Sequence, residues 1–393
     1  MDLTFSKEQE AWRQEVRTFF NAEPPEKYPT QGTDLGWGFG AWSYEFARRM
    51  GEKGWISLCW PEEFGGQARP IVYRLILWEE IAYHKAPAAA IFSSVGYADT
   101  FLDLGSPRLK EELLPGIARG EISTWMALSE PDAGTDLLAL QTRAQEDGDF
   151  YILNGGKIWS SNAHLADYGF VLAITDPNAP RGRGLSSFVV DKRTPGVTIK
   201  PLYTLAGEHY HNQVFFDNVR VYKDYLVGEE NRGLAQILTS LDIDRFWGRW
   251  GKPALMKRIL EELVEYAAET KYNGKLLLAD PLVCHQLADV AILTEVSRML
   301  CYWAAGKVIN GEPLEQEASV AKLVADESWQ RALRIGMQIL GLYGQLEPDS
   351  KWVPLLGTIE RYYLHSVGHT LGGGTSEIIR NTLATRGLGL PRS

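Results

Sequence analysis

The chain has 393 residues, 45% hydrophobic and 23% charged, which is material for a sizeable core and for two or three domains. Its 40 basic and 50 acidic side chains leave a net charge of −10, which argues against a nucleic-acid binder and leaves room for an anionic small ligand held by local positive charge. Cys59, Cys284 and Cys301 are too few and too scattered for a disulfide framework or a metal site, and no run of 18 apolar residues is present.

The start, Met1-Asp2-Leu3-Thr4-Phe5-Ser6-Lys7-Glu8, has neither the apolar core of a signal peptide nor the Arg-rich character of a transit peptide. A cytoplasmic protein with no transmembrane segment is expected. Residues 1–122 read as helical: Ser6 to Gln9 offers an N-cap, and Trp12, Val16, Phe19 and Phe20 follow at helical spacing. Phe46, Met50, Leu75, Leu77, Ile81, Leu113, Leu114 and Ile117 continue that pattern. The stretch from Gly54 to Gly66 is turn-rich and serves either as a structural loop or as a ligand wall.

From residue 123 the pattern shortens to strand-like runs at 123–127, 140–145, 150–153, 169–175, 186–190, 197–201 and 213–219, separated by Gly, Asp, Asn and Pro clusters. That is the signature of an antiparallel sheet domain, placed at 123–230. Two polar interruptions carry more special residues than a hairpin turn needs: Ser129-Glu130-Pro131-Asp132-Ala133-Gly134-Thr135-Asp136 and Trp159-Ser160-Ser161-Asn162-Ala163. Helical periodicity returns for 231–393, through Ile237, Leu241, Leu255, Ile259, Leu263, Leu287 and Val290. Near the end, Leu371-Gly372-Gly373-Gly374-Thr375-Ser376-Glu377 breaks one helical stretch and opens another. It is either an ordinary helix-breaking loop or a place where backbone amides approach an electron-rich ligand.

The chain resembles the acyl-CoA dehydrogenase family over essentially its whole length. The resemblance rests on seven segments in family order: Trp60-Pro61-Glu62-Glu63-Phe64-Gly65-Gly66, residues 127–136, Gly156-Lys157-Ile158-Trp159-Ser160-Ser161-Asn162, Val214-Phe215-Phe216-Asp217-Asn218-Val219-Arg220-Val221, Leu226-Val227-Gly228-Glu229, Gln338-Ile339-Leu340-Gly341, and residues 373–381. It implies a mainly α fold with a central β domain: an N-terminal helical domain, a middle antiparallel β-barrel or sandwich, and a C-terminal four-helix bundle. It further implies non-covalent FAD, an acyl-CoA substrate, α,β-desaturation, and an external electron acceptor such as an electron-transfer flavoprotein. A homotetramer or an α2β2 heterotetramer is implied as well.

By the same resemblance, Leu128 and Ser129 line the pyrimidine side of the flavin and Thr135 meets the FAD pyrophosphate or the CoA-side wall. Trp159 covers the isoalloxazine, Ser161 sits near N5, and Gln338, Thr375 and Glu377 surround the ADP half. Family members usually carry a catalytic Glu just before the Gly-Thr-Ser turn, and here that position is Gly373. A second family location, before an Arg in a central helix, here reads Asp242-Ile243-Asp244-Arg245. Asp244 becomes the expected base, with Arg245 orienting it, meeting the CoA end or forming a helix salt bridge. Asp99 is a rival acid.

Asp is one methylene shorter than the usual Glu, and a misplacement of about 1 Å can cost on the order of 10²-fold. A further departure is Thr270-Lys271-Tyr272-Asn273-Gly274, where the family has an Arg reaching a neighbour's FAD, so that contact is lost or passes to Lys271. The pattern resembles the branch acting on bulky, branched, cyclic or steroid-like acyl groups. An elimination or desulfination enzyme on the same fold, and a non-catalytic partner subunit, are the alternatives. His164 reads as a ligand neighbour or a structural histidine, and Arg181 and Arg183 as a CoA phosphate contact or a solvated loop.

Overall fold

The computed structural model describes residues 5–23, 41–237, 249–314 and 316–391. Its described helices are α1 (Lys7–Ala22), α2 (Ala41–Glu52), α3 (Ile71–Tyr83), α4 (Ala89–Leu104), α5 (Pro107–Ala118), α6 (Lys252–Glu269), α7 (Pro281–Ile309), α8 (Glu317–Leu340), α9 (Thr358–Ser366) and α10 (Ser376–Thr382). The strands are β1 (Thr124–Ala127), β2 (Arg143–Asp147), β3 (Phe150–Lys157), β4 (Tyr168–Ile174), β5 (Leu185–Asp191), β6 (Val197–Tyr203), β7 (His209–Tyr222), β8 (Leu226–Val227), β9 (Lys271–Tyr272) and β10 (Lys275–Leu276). Mainly helical with a sheet in the middle, this is the architecture the sequence implies. No described helix is long and apolar enough to cross a membrane.

Contacts gather the chain into two compact units. A helical unit draws on Met1–Pro29, Pro70–Ala86 and Asp242–Ser393, and a sheet unit on Thr30–Arg69 and Pro87–Leu241. In the sheet unit the strand order is β6-β7-β3-β2-β4-β5-β8, with β1 on β4. Alternation along β1 and β4 sends Trp125, Ala127, Val171 and Ala173 to one core, where they meet Tyr151, Phe188 and Val214. Leu128, Phe170 and Leu172 point to the other core, against Phe101 of α4 and Leu113, Leu114 and Ile117 of α5. With both faces covered, every residue of β5 except Asp191 is buried.

The sheet departs from a purely antiparallel one. β1 runs parallel to β4, pairing Thr124 with Tyr168 through Ala127 with Val171, and β2 meets β4 in parallel at Arg143 and Ile174. β2 and β3 lie between β1 and β4 in the chain, so no tight turn joins the pair and forces it antiparallel. β3 also runs past its expected end at 153. Gly155, at φ +148°, carries a bulge there, and a Cβ on it would lie 2.5 Å from Thr142 Oγ1. Gly169 admits Trp125, whose ring would stand 2.4 Å from an added Cβ.

In the helical unit, Ser6 and Gln9 form a reciprocal capping box on α1. α3 is buried nearly all round, from Tyr73 to Ile81. The indoles of Trp12 and Trp250 donate to its Tyr73 and Leu75 carbonyls at 3.0 and 2.7 Å. α8 buries Ala318, Ala321, Ala325, Trp329, Leu333 and Ile339 among α6, α7 and α9.

Candidate active site

In the sheet unit the two polar interruptions are brought together. Lys157, at the end of β3 and 1% exposed, donates to the Leu128 carbonyl at 3.0 Å and to Glu130 Oε1 at 2.8 Å. Glu130 also accepts from the Gln141 and Thr142 amides at 2.6 and 2.9 Å, and the Ile158 amide donates to the Ser129 carbonyl at 2.9 Å. Leu128 and Ser129 are therefore fixed beside the turn that carries Trp159 and Ser161. Burial lowers the Lys157 ammonium to about 8 against the pull of Glu130. Truncating either partner would leave the other charge buried and unpaired. Thr135 lies exposed further along the same loop.

The turn itself is unusual. Trp159 and Asn162 both hold φ +59°, a left-handed backbone that non-glycine residues rarely adopt. The start of β7 clamps it: the Ser160 amide donates to the Asn212 carbonyl at 3.1 Å and the Asn162 amide to the Tyr210 carbonyl at 3.0 Å. The Trp159 side chain is 58% exposed, while the Ser160 hydroxyl and the Asn162 Oδ1 are buried without a hydrogen-bond partner. The Ser161 hydroxyl lies 3.3 Å from His211 Nδ1.

Behind the turn, the His164 and His209 rings stack at 3.9 Å between centroids. Asn212 bridges them, 2.9 Å from His209 Nε2 and 3.1 Å from His164 Nδ1. His164 is thus a structural member of this stack. Burial, reinforced by His209 and Lys192, pushes its imidazole down to about 4; burial does the same to His211 against a bond to the Trp159 backbone. Of the predicted loop arginines, Arg181 is paired with Asp136 across an exposed surface.

In the helical unit, Thr375 caps α10 by accepting from the Ile378 amide at 3.2 Å, and Glu377 is exposed in the first turn. Bonds from its own backbone amide and from Thr375 hold the Glu377 carboxyl below its ordinary value. Gln338 is exposed on α8, and its Oε1 accepts from Gln286 Nε2 at 3.0 Å. Gly373 and Gly374 hold φ +70° and +100°.

Beneath these glycines is a buried ionic cluster. Asp326, fully buried, accepts from Arg249 Nε and Nη2, from Lys322 Nζ at 3.0 Å and from Lys252. Lys252 also meets His369 Nδ1 at 2.9 Å, and Arg249 Nη2 donates to the Gly372 carbonyl at 3.2 Å. An ideal Cβ on Gly373 would stand 3.4 Å from Arg249 Nη1 and 3.5 Å from Lys322 Cε. Burial alone would raise Asp326, but Lys252, Arg249 and Lys322 drive it far below the usual carboxylate range. Burial lowers Lys252 to about 8 and His369 well below its ordinary value.

The expected base Asp244 and its neighbour Arg245 lie outside the described residues. Asp99 accepts a 2.7 Å bond from Trp60 Nε1. Lys271 sits in an exposed β9–β10 hairpin turned by Asn273-Gly274, beyond the end of α6. His211, Lys157, Asp326 and its three cations were not singled out for these contacts from the sequence. The available signal was charge inside an apolar helical pattern: Lys322 and Asp326 stand one turn apart among buried alanines.

The donor set fits a flavin. An exposed flat indole on a strained turn offers a face for a fused ring, and a hydroxyl and two unpartnered buried oxygens lie in the same turn. No protein side chain accepts a hydride, so desaturation on this scaffold needs such a group.

Family comparisons agree. Residues 6–121, 125–219 and 231–388 match the models for the N-terminal, middle and C-terminal domains of acyl-CoA dehydrogenase. The chain is 34% identical to acyl-CoA dehydrogenase FadE26 of Mycobacterium tuberculosis, with 100% of each chain covered. Among solved structures it is similar to the Tcur3481-Tcur3483 steroid ACAD, with a TM-score of 0.89, 33% identity and full coverage of both chains. The ChsE4-ChsE5 complex from Mycobacterium tuberculosis gives the same score, identity and coverage.

Proposed function

This chain belongs to the acyl-CoA dehydrogenase family of FAD-dependent oxidoreductases, and from that premise we propose that it desaturates a bulky, ring-bearing or branched acyl-CoA at the α,β bond, with Asp244 as the base. The observation that carries this reading is Gly373. No carboxylate precedes the Gly-Thr-Ser turn, and the backbone there, at φ +70° above Arg249 and Lys322, is glycine's. The α-proton must therefore go to an acid elsewhere. Asp99 serves as acceptor to the Trp60 indole, which favours Asp244.

Asp244 takes the α-proton of the thioester, whose acidity rises when its carbonyl is hydrogen-bonded. Bound FAD supplies the acceptor for the β-hydride at N5. When FAD is bound, Trp159 would cover the ring system, Ser161 would meet its N5 edge, Leu128 and Ser129 would line the pyrimidine side, and Thr135, Gln338, Thr375 and Glu377 would hold the remainder. An external acceptor such as an electron-transfer flavoprotein then reoxidises the enzyme. The acyl class is supported by the missing side chain at 373 and by the steroid designation of a solved relative. Three parts, 1–122, 123–230 and 231–393, divide the work.

The test is Asp244→Asn in the FAD-loaded protein under anaerobic conditions. Flavin reduction by acyl-CoA is lost while FAD stays bound; a variant that still bleaches removes Asp244 from the mechanism. A second reading, a subunit of an α2β2 assembly in place of a homotetramer, is favoured by two solved relatives, the Tcur3481-Tcur3483 steroid ACAD and the ChsE4-ChsE5 complex, each named for a pair of proteins. Retention of FAD by the chain purified alone, as a homotetramer by mass, would exclude it.

A further inference from the structure

We infer that His211 is a positioning residue for the flavin-facing turn, fixing the Ser161 hydroxyl and the Trp159 ring in one arrangement. The inference rests on the reading that Ser161 and Trp159 face the flavin. One imidazole touches both side chains: its Nδ1 lies 3.3 Å from Ser161 Oγ, and the Trp159 ring stands against it at 5.6 Å and 87°. Its own place is set by the backbone. Tyr210 and Asn212, on either side of it in β7, supply the carbonyls that bind the Asn162 and Ser160 amides. The Tyr210 ring packs on the imidazole at 4.2 Å.

The chemistry follows from the imidazole's two nitrogens. A neutral ring has one donor and one acceptor nitrogen, and burial keeps His211 neutral, with a value near 4. A serine hydroxyl rotates to suit its surroundings unless a partner selects one rotamer. Bonded to Nδ1, the Ser161 hydroxyl has one direction taken, and its remaining donor or lone pair is presented away from His211. Trp159 is exposed and on a left-handed backbone, and the imidazole stands edge-to-face against its ring. His211 thus couples two contacts that the sequence motif supplies separately, the face and the edge of the flavin.

The experiment compares Ser161→Ala, His211→Phe, His211→Gln and the Ser161→Ala/His211→Phe double variant in the FAD-loaded protein. Its readouts are the visible spectrum and midpoint potential of the bound flavin, then kcat and KM. Phe keeps an aromatic ring and loses the polar contact; Gln keeps a polar group that can meet Ser161. His211→Phe is expected to move the spectrum and potential in the same direction as Ser161→Ala, and the double variant to add nothing further, because the two residues act as a unit. His211→Phe lowers kcat on the order of tenfold, as loss of an orienting partner does, with KM unchanged. His211→Gln recovers part of the parental spectrum.

If Ser161→Ala moves the potential and His211→Phe does not, the inference falls and the flavin-contact reading stands. If Ser161→Ala leaves spectrum and potential unchanged, that reading fails and the inference fails with it. If the Phe variant keeps the parental spectrum and the Gln variant does not, His211 only fills space, which also overturns the inference. Should His211→Phe fail to fold, the Gln variant alone decides: a spectrum matching Ser161→Ala contradicts the positioning role.

Discussion

The turn at Trp159 in the sheet unit and the glycine loop at Gly372 to Gly374 in the helical unit are held by opposite means. The Trp159 turn is fixed by neutral contacts: backbone bonds to the start of β7, a histidine stack bridged by Asn212, and one imidazole on Ser161. The glycine loop is pinned by charge, with Arg249 joining the Gly372 carbonyl to the buried Asp326 cluster. Neutral contacts tolerate loss of one member, because nothing charged is left stranded. A buried ionic cluster does not, since removing one partner leaves the others uncompensated.

The largest effect is therefore expected from Asp326→Asn, which leaves Arg249, Lys252 and Lys322 around a neutral amide. It should cost about 3–5 kcal/mol in urea unfolding; a loss below about 1 kcal/mol would show that the cations find other compensation. Next is Gly373→Ala, which places a Cβ on a backbone at φ +70°. A penalty of about 1–2 kcal/mol is expected from left-handed strain, measured by the same denaturation. Gly373→Glu should likewise fail to restore a base, because its carboxylate would start beside Arg249 and Lys322.

Acid acts on both regions through their buried histidines. His164 and His211 sit near 4 in the fold against an ordinary 6.5, and His369 is also held well below it. Between those values the unfolded chain binds more protons than the folded one, so stability is complete above about pH 6.5 and falls as pH drops toward 4. Asp326, with its carboxyl depressed, contributes above the ordinary 3.8 and loses that contribution only in stronger acid. Replacing His211 with Phe should flatten part of the slope between pH 6.5 and 4, read from unfolding midpoints across that range. The smallest stability effect belongs to Trp159→Ala, within about 0.5 kcal/mol because the indole is exposed, while retention of FAD on dilution weakens.

Much of this was legible in the sequence, for physical reasons that differ by region. Ser6 and Gln9 announced the start of α1, and short strand-like runs between Gly, Asp, Asn and Pro clusters located β1 through β7, because capping and turn signals are local. The parallel pairing of β1 with β4 was not visible, since β2 and β3 separate the two strands in the chain and no tight turn joins them. β3 ran longer than read because Gly155 made a bulge where a turn was expected. In the candidate site, Trp159, Ser161 and Thr375 stood out by type and spacing. Asp326 and its cations did not, because their meaning lies in contacts between Arg249, Lys252, Lys322 and His369, drawn from far apart in the chain. His211 was hidden for the same reason: 50 residues separate it from Ser161.

The most direct test of the account is the visible spectrum of the FAD-loaded protein before and after anaerobic addition of straight, branched, cyclic and steroid-like acyl-CoA thioesters. A ring-bearing or branched thioester is expected to bleach the flavin, and short straight chains to do so weakly or not at all. A flavin that stays oxidised with every thioester would contradict α,β-desaturation by this chain.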